Sequence, residues 1–428
     1  MPFLCLDVGS TWTKGALVAP DGELLGTAQH RTTPPEVLTG IAAVTSALGS
    51  PDAEVLACSS AGGGLRLAVV GQERLVSAEA GYRVALSAGA KVVHVSSGEL
   101  TNVRALRADR PDVVLLVGGT DGGDQRVLLH NARRLGANRL RVPIVLAGNI
   151  DARAEALEAL AGCTVVPTDN VLPDVGELAP GPARRAIREV FLQHVIGGKG
   201  LSKGPRFRSL VRTVTPDAVL VGVSRLAGVL ADDDEAGAVL VVDVGGATTD
   251  VYSAVSTMDK ERATTVALPA DRRTVEGDIG MRWSAPGIVA EARTEQLIPD
   301  DTLRAPAEAR AADVDFIPTT PEESAVDTQL AALAAILAVR RHLRLIDGRL
   351  GPRGAGLLVL SGGVFRHASA EALHEIHAAL TSDPVLRPVL RQARIVVDTD
   401  YVLAPAGLLT EAGHHPAANR LLRNLTQA

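Results

Sequence analysis

Asp7-Val8-Gly9-Ser10-Thr11-Trp12-Thr13-Lys14 and Asp243-Val244-Gly245-Gly246-Ala247-Thr248-Thr249-Asp250 decide how this chain is read. They begin 236 positions apart (243 minus 7) and align without gaps, sharing Asp, Val, Gly and a later Thr. Each follows an apolar run, Phe3 to Val8 or Ala238 to Val242, and each continues into strand-like sequence, Gly15 to Ala19 or Asp250 to Ser256. Apolar run, glycine turn and returning run read as strand, tight turn and strand. The repetition predicts duplicated halves. In both, a carboxylate ends a buried strand and a glycine turn lets backbone N–H groups approach an anion. Two such turns facing each other would clamp one triphosphate.

Working outward, Val113 to Val117 and Pro143 to Ala147 read as strands, and Gln125 to Leu135 and Asp151 to Ala161 as helices, an alternation that indicates α/β layers. Arg184 to Val195 reads as helical, and Gly197-Gly198-Lys199-Gly200 with Lys203-Gly204-Pro205 as a mobile, solvated loop. The Pro- and Asp-rich stretch from Ile298 to Glu323 reads as a surface connection with at most a short helix. A long helix follows from Ser324 to Leu345, then a strand from Gly356 to Leu360 that runs into Ser361-Gly362-Gly363-Val364-Phe365. The expected division is residues 1–216, including the middle insert, and residues 217–428.

At 428 residues the chain is too long for one ordinary core. With 46% hydrophobic but only 2% aromatic residues, its interior must be built from Ala, Val and Leu. A net charge of -6, with no Lys/Arg run interleaved with aromatics, argues against nucleic acid as a partner. Three cysteines without a CxxC pair suggest neither a disulfide framework nor a closed metal site. The start at Met1 lacks the features of a signal peptide, so a cytoplasmic protein is expected. The apolar stretch from Ala331 to Val339 is far short of the ~20 residues a spanning helix needs, so no membrane partner is expected.

Three motifs now stand in order: Asp7 to Lys14, Asp243 to Asp250, and Leu358 to Arg366. Together they resemble the phosphate-1, phosphate-2 and adenosine motifs of the superfamily of acetate kinase, sugar kinases, heat-shock ATPases and actin. Within it the chain looks most like the MutL-type proteins associated with coenzyme B12-dependent glutamate mutase, which are unrelated to the mismatch-repair protein of the same name. The resemblance spans nearly the whole chain. It is carried by DVGSTWTK, VLLVGGTDGGDQ (Val114 to Gln125), VLAGN (Val145 to Asn149), DVGGATTDVYS and EGDIGMRWSA (from Glu276). It implies an α/β fold of two actin-like (ribonuclease H-like) halves around a nucleotide cleft, with an α/β insertion in the first half. It further implies ATP and Mg as ligands and a role as a reactivating or assembly chaperone whose partner is the B12-dependent mutase. The damaged cobalamin would be held by the mutase, not by this chain.

On this reading Asp7 and Asp243 hold a hydrated Mg2+ on the phosphates or orient attacking water; alternatively each only anchors its turn. Gly9, Ser10, Thr11 and Thr13 offer donors to phosphate, opposed by Gly245, Gly246, Thr248 and Thr249. Lys14 would neutralise charge developing during phosphoryl transfer, although strand alternation equally allows it to face solvent. Gly362 and Gly363 are assigned to adenosine contact, with a tight strand-to-helix connection as the alternative. Glu276, with Asp278, either reaches the attacking water or belongs to a polar surface turn. The loop Gly118 to Asp124 is either a second polar site or a helix cap. The histidines, His414-His415 included, show no metal-binding spacing. Activators of radical CoA dehydratases share the first motif but hold an iron–sulfur cluster through paired cysteines, which are lacking here. A small-metabolite kinase and a nucleotide-gated scaffold with little turnover remain the competing functions.

Overall fold

A computed structural model of the chain describes every residue except 10, 50, 61–64, 73–77, 79, 82–83, 86–89, 192, 194–204, 233–236, 256–270, 347, 349, 351–352 and 428. Ser10 and the Gly/Lys-rich loop at 197–204 lie outside the described residues.

The duplicated turns open two sheets of identical topology. In the first half, β1 (Phe3–Val8), β2 (Trp12–Val18), β3 (Leu24–Arg31), β4 (Glu54–Ser59) and β10 (Val211–Val214) are ordered β10-β4-β1-β2-β3. In the second, β11 (Ala238–Val244), β12 (Thr249–Ala254), β13 (Asp271–Glu276), β14 (Ala355–Ser361) and β15 (Arg394–Val397) are ordered β13-β12-β11-β14-β15. In both, the first three strands form an antiparallel meander. The fourth and fifth strands then add in parallel beyond the first. The fold is therefore α/β with two actin-like halves.

A third sheet is inserted between β4 and β10. Its strands, β5 (Arg66–Gly71), β6 (Lys91–Ser97), β7 (Val113–Leu116), β8 (Ile144–Leu146) and β9 (Val165–Pro167), are all parallel, in the order β6-β5-β7-β8-β9. The helices Arg126–Ala137 and Arg153–Ala159 alternate with these strands, as the periodicity predicts. Only the strands near Val113 and Pro143 were legible beforehand; β5, β6 and β9 are additions.

The low aromatic content is met by close backbone packing. The helix Pro321–Leu345 starts with a capping box between Thr320 and Glu323 and carries the basic Arg344 in its last turn, matching the helix dipole. Its Ala-rich length is buried against Leu240, Val242 and Leu358 of the second sheet. Between the two sheets, helices Thr215–Asp232, Leu403–Glu411 and His415–Gln427 share one core with Cys5 and Leu56 of the first half and Val241 and Val359 of the second. Gly222 and Gly407 meet at the crossing of the first two helices, where an ideal Cβ would fall 2.1 Å from Leu403 O and 1.8 Å from Ala218 O. Among the described residues, no helix is long and apolar enough to cross a membrane.

Candidate functional site

Both Asp-x-Gly turns close in the same way. Gly9 N donates to Trp12 O at 3.0 Å, and Gly245 N donates to Thr248 O at 2.9 Å. A Cβ would stand 2.7 Å from Trp12 O at Gly9 and 2.9 Å from Thr248 O at Gly245, so both turns need glycine for a close backbone approach. Strand register then places Asp7 opposite Lys14, and Asp243 opposite Asp250. Directly opposed residues share a sheet face, so Lys14 follows Asp7 into the cleft instead of facing solvent. Asp250 is held by Arg273 at 2.6 Å.

The two halves meet at a cleft of about 570 Å³, counted open to solvent. It is lined by Asp7, Lys14 and Thr215, by Asp243, Ser361 and Arg366, and by Asp398, Asp400 and Tyr401. Asp7 Oδ1 accepts a hydrogen bond from the Thr215 hydroxyl and lies 3.7 Å from Cys58 Sγ. Burial raises the pKa of the Asp7 carboxyl, against the opposing pull of Lys14 and Thr215. Burial alone would lower the Lys14 pKa, but Tyr401, Asp7 and Asp243 outweigh it and raise the value. Burial also pushes Asp398 up to about 6, although it accepts N–H bonds from Val402 and Leu403.

Other residues singled out from sequence support the turns from outside the cleft lining. Thr13 Oγ1 is 3.1 Å from Thr32 Oγ1, which donates to Gly9 O at 2.8 Å, so Thr13 braces the first turn. The backbone of Thr11 accepts from Thr32 N at 2.9 Å. In the second turn, the Thr248 hydroxyl bonds Asp250, and Thr249 Oγ1 is buried with no partner among the described residues. Gly245 O accepts from Met281 N at 2.9 Å, while Gly246 O accepts from Arg282 N at 2.8 Å and Trp283 N at 3.0 Å. The EGDIGMRWSA segment thus pins this turn.

Glu276 is absent from the cleft lining. Arg341 holds its carboxylate at 2.7 Å and that of Asp278 at 2.8 Å. Glu276 is the buried last residue of β13, not part of a surface turn, and its carboxylate is engaged by Arg341. Gly362, at φ 121°, would bring a Cβ to 2.3 Å from Val244 O, so its glycine is required by packing against the end of β11. A Cβ on Gly363 would meet nothing within 4 Å. Ser361 beside them does line the cleft.

The Gly118 to Asp124 loop is braced from neighbouring strand ends. Asn170 Nδ2 donates to Gly119 O at 2.9 Å, Asn149 Nδ2 to Gly123 O at 3.1 Å, and Gly122 N to Asp151 Oδ2 at 2.9 Å. Asp124 Oδ1 accepts from Arg126 N at 3.0 Å, just ahead of a helix whose cap residue, Gln125, makes no side-chain cap bond. Sequence reasoning missed Thr215, Arg366, Asp398, Asp400 and Tyr401. Arg366 closes the third motif without having been given a role there; the others carry no local motif, although a tyrosine is a weak signal in a chain with only 2% aromatics.

Comparison with known proteins adds the following. The MutL protein family matches residues 3–425. Protein MutL of Clostridium tetanomorphum is 34% identical over 444 aligned positions, covering 96% of each chain. Among solved structures, a nucleotide-free acetone carboxylase aligns at TM-score 0.43 and 16% identity, covering 95% of this chain and 70% of that one. A ROK family glucokinase from Streptomyces griseus, in complex with glucose and AMPPNP, aligns at TM-score 0.34 and 11% identity, covering 99% of this chain and 100% of that one. By the extent of the family match and the identity to a full-length relative, the chain belongs to the MutL protein family.

Proposed function

We propose that the chain is a cytoplasmic ATPase that binds Mg-ATP between its two Asp-x-Gly turns. Its hydrolysis drives reactivation or assembly of a coenzyme B12-dependent mutase such as glutamate mutase, whose subunits are its partner. The observation that carries the nucleotide reading is the meeting of Asp7, Lys14 and Asp243 in one cleft, on corresponding strands of duplicated halves. Membership of the MutL family, with the mutase association that its motifs imply, supports the partner.

Phosphoryl transfer to water asks mainly for positioning and charge neutralisation. Asp7, its pKa raised by burial, is suited to orient the attacking water and accept its proton. Lys14 is suited to meet charge on the phosphates. Among the described residues of the cleft lining, Asp7, Asp243, Asp398 and Asp400 face two cations, Lys14 and Arg366, so a bare polyanion would be repelled. Among the described residues no group of three His, Cys, Asp or Glu could hold a metal alone. Two carboxylates instead fit Mg2+ shared with phosphates and water. Held by Asp7 and Asp243 in this way, Mg2+ would neutralise phosphate charge. The helices packed between the halves join both cleft walls to one core, which suits a change of interdomain angle as the output.

The test is ATP hydrolysis by the wild type, Asp7→Ala and Asp243→Ala, with and without inactivated cobalamin-bound glutamate mutase, while mutase activity is followed. Recovery that depends on ATP and on both aspartates is expected. Turnover stimulated by a small acceptor instead of the mutase would indicate a metabolite kinase, and binding without turnover a scaffold.

A further inference from the structure

Two cations line the cleft, and both lie against one aromatic ring. Lys14 Nζ is 3.6 Å from the centre of the Tyr401 ring, and the Arg366 guanidinium carbon is 4.8 Å from it. The three residues come from separate pieces of chain: Lys14 from β2 of the first half, Arg366 from just after β14, and Tyr401 from the connection after β15. Tyr401 is thus where a cation of the first half meets the second. Its backbone is at φ 53°, the left-handed region that bulky side chains rarely adopt. Such strain persists where the surroundings over-determine the conformation, and it concentrates at ligand sites. Here Asp398 accepts from Val402 N at 2.9 Å, fixing the chain immediately beyond the tyrosine.

The face of an aromatic ring attracts cations, most strongly when water is excluded. Lys14 also faces Asp7 and Asp243, which would draw a long, flexible ammonium toward the carboxylates and away from a ligand. The ring supplies a competing resting place in the cleft. It gives Arg366, whose planar fork suits phosphate oxygens, a fixed place in the same space. Pre-orienting both groups removes part of the ordering cost when an anion arrives.

We propose that Tyr401 is the positioning residue of the phosphate site, its ring holding Lys14 and Arg366 where both meet the terminal phosphates of ATP. This rests on the Mg-ATP reading and adds Arg366 as a phosphate-binding residue. Loss of the ring face should therefore weaken ligands in proportion to their phosphates and leave recognition of the nucleoside end in place.

The experiment is calorimetric binding of Mg-ATP and competition by AMP, on the wild type, Tyr401→Leu, Tyr401→Phe and Arg366→Gln, with thermal unfolding of each free protein. Tyr401→Leu should weaken Mg-ATP about 5- to 30-fold and AMP by about twofold or less, while Tyr401→Phe, which keeps the ring, should recover to within about threefold of wild type. Should Tyr401→Leu fail to fold, Arg366→Gln carries the same expectation of a loss confined to Mg-ATP. Wild-type affinity in Tyr401→Leu, an equal loss in Tyr401→Phe, or a parallel loss for AMP would overturn the positioning role and leave the nucleotide site standing. A wild type that binds no Mg-ATP would remove the nucleotide site and this role together.

Discussion

Replacing Gly407 by alanine sets two physical expectations against each other. Gly407 lies inside the helix Leu403–Glu411, where Gly→Ala should stabilise by about 1 kcal/mol on helix propensity alone. The helix crossing dictates the opposite sign. A Cβ at 407 would fall 1.8 Å from Ala218 O, and such contacts essentially never come under 3.0 Å, so the backbones must part by at least 1.2 Å (3.0 minus 1.8). The opposing atoms are main chain and have no rotamer with which to yield. Separations of ~1 Å forfeit a quarter to a half of each dispersion contact, and overpacking costs about 1–3 kcal/mol. Taking the upper end and subtracting the propensity gain leaves a net loss of about 2 kcal/mol. Gly228, exposed on the partner helix Thr215–Asp232 with nothing within 4 Å of a Cβ, is the internal control: Gly228→Ala should stabilise by about 1 kcal/mol. Urea unfolding followed by circular dichroism reads both. Because Leu403, Ala404 and Pro405 form part of the cleft wall, Gly407→Ala should weaken nucleotide binding as well. Stabilisation of Gly407→Ala to the same extent as Gly228→Ala would refute the reasoning.

His342 is fully buried between Thr274 Oγ1 and Ser253 Oγ, and burial lowers its pKa to about 3. The unfolded histidine protonates near pH ~6.5 but the folded one does not, so it costs the fold about 1.4 kcal/mol per pH unit as pH falls through that window. The stability difference between wild type and His342→Gln should therefore change by roughly 2–3 kcal/mol from pH ~6.5 to ~4.5, and parallel curves would contradict this. Thr215→Val removes the hydroxyl donor that favours ionised Asp7, so the Asp7 carboxyl of the metal-free protein should titrate at higher pH by NMR; an unmoved titration would exclude Thr215 from that role. Glu276→Gln should cost about 1–3 kcal/mol of stability through Arg341 and leave turnover within about threefold, whereas a loss of about 100-fold would return Glu276 to the chemistry.

The duplication was legible because an Asp-x-Gly hairpin leaves its mark in consecutive residues: the glycines at 9 and 245 are demanded by contacts only three positions away. The helix Pro321–Leu345 was legible for a similar local reason, its cap and its Ala/Leu periodicity. The inserted sheet was only half visible, since β9 spans three residues and pairing between distant strands has no local signature. The part of the cleft's second wall made by Asp398, Asp400 and Tyr401 was not visible at all. Asp398, Asp400 and Tyr401 reach Asp7 and Lys14 only because β15 adds to the second sheet and the two halves close on shared helices. Thr13 shows the converse: its motif position suggested phosphate, but strand alternation turns it inward to Thr32.

The most direct test is calorimetric titration of ATP, with and without Mg2+, into the wild type, Asp7→Asn and Asp243→Asn. With Mg2+, each Asn variant should bind at least ~10-fold more weakly than wild type, because a carboxylate that shares the metal is gone. Without Mg2+ the order should reverse, the variants binding as well or better, because a charge that repels phosphate has been removed. That crossing is what the account predicts. Wild-type protein that binds no ATP, or Asn variants indistinguishable from it in both conditions, would contradict the claim that these two turns form a Mg-ATP site.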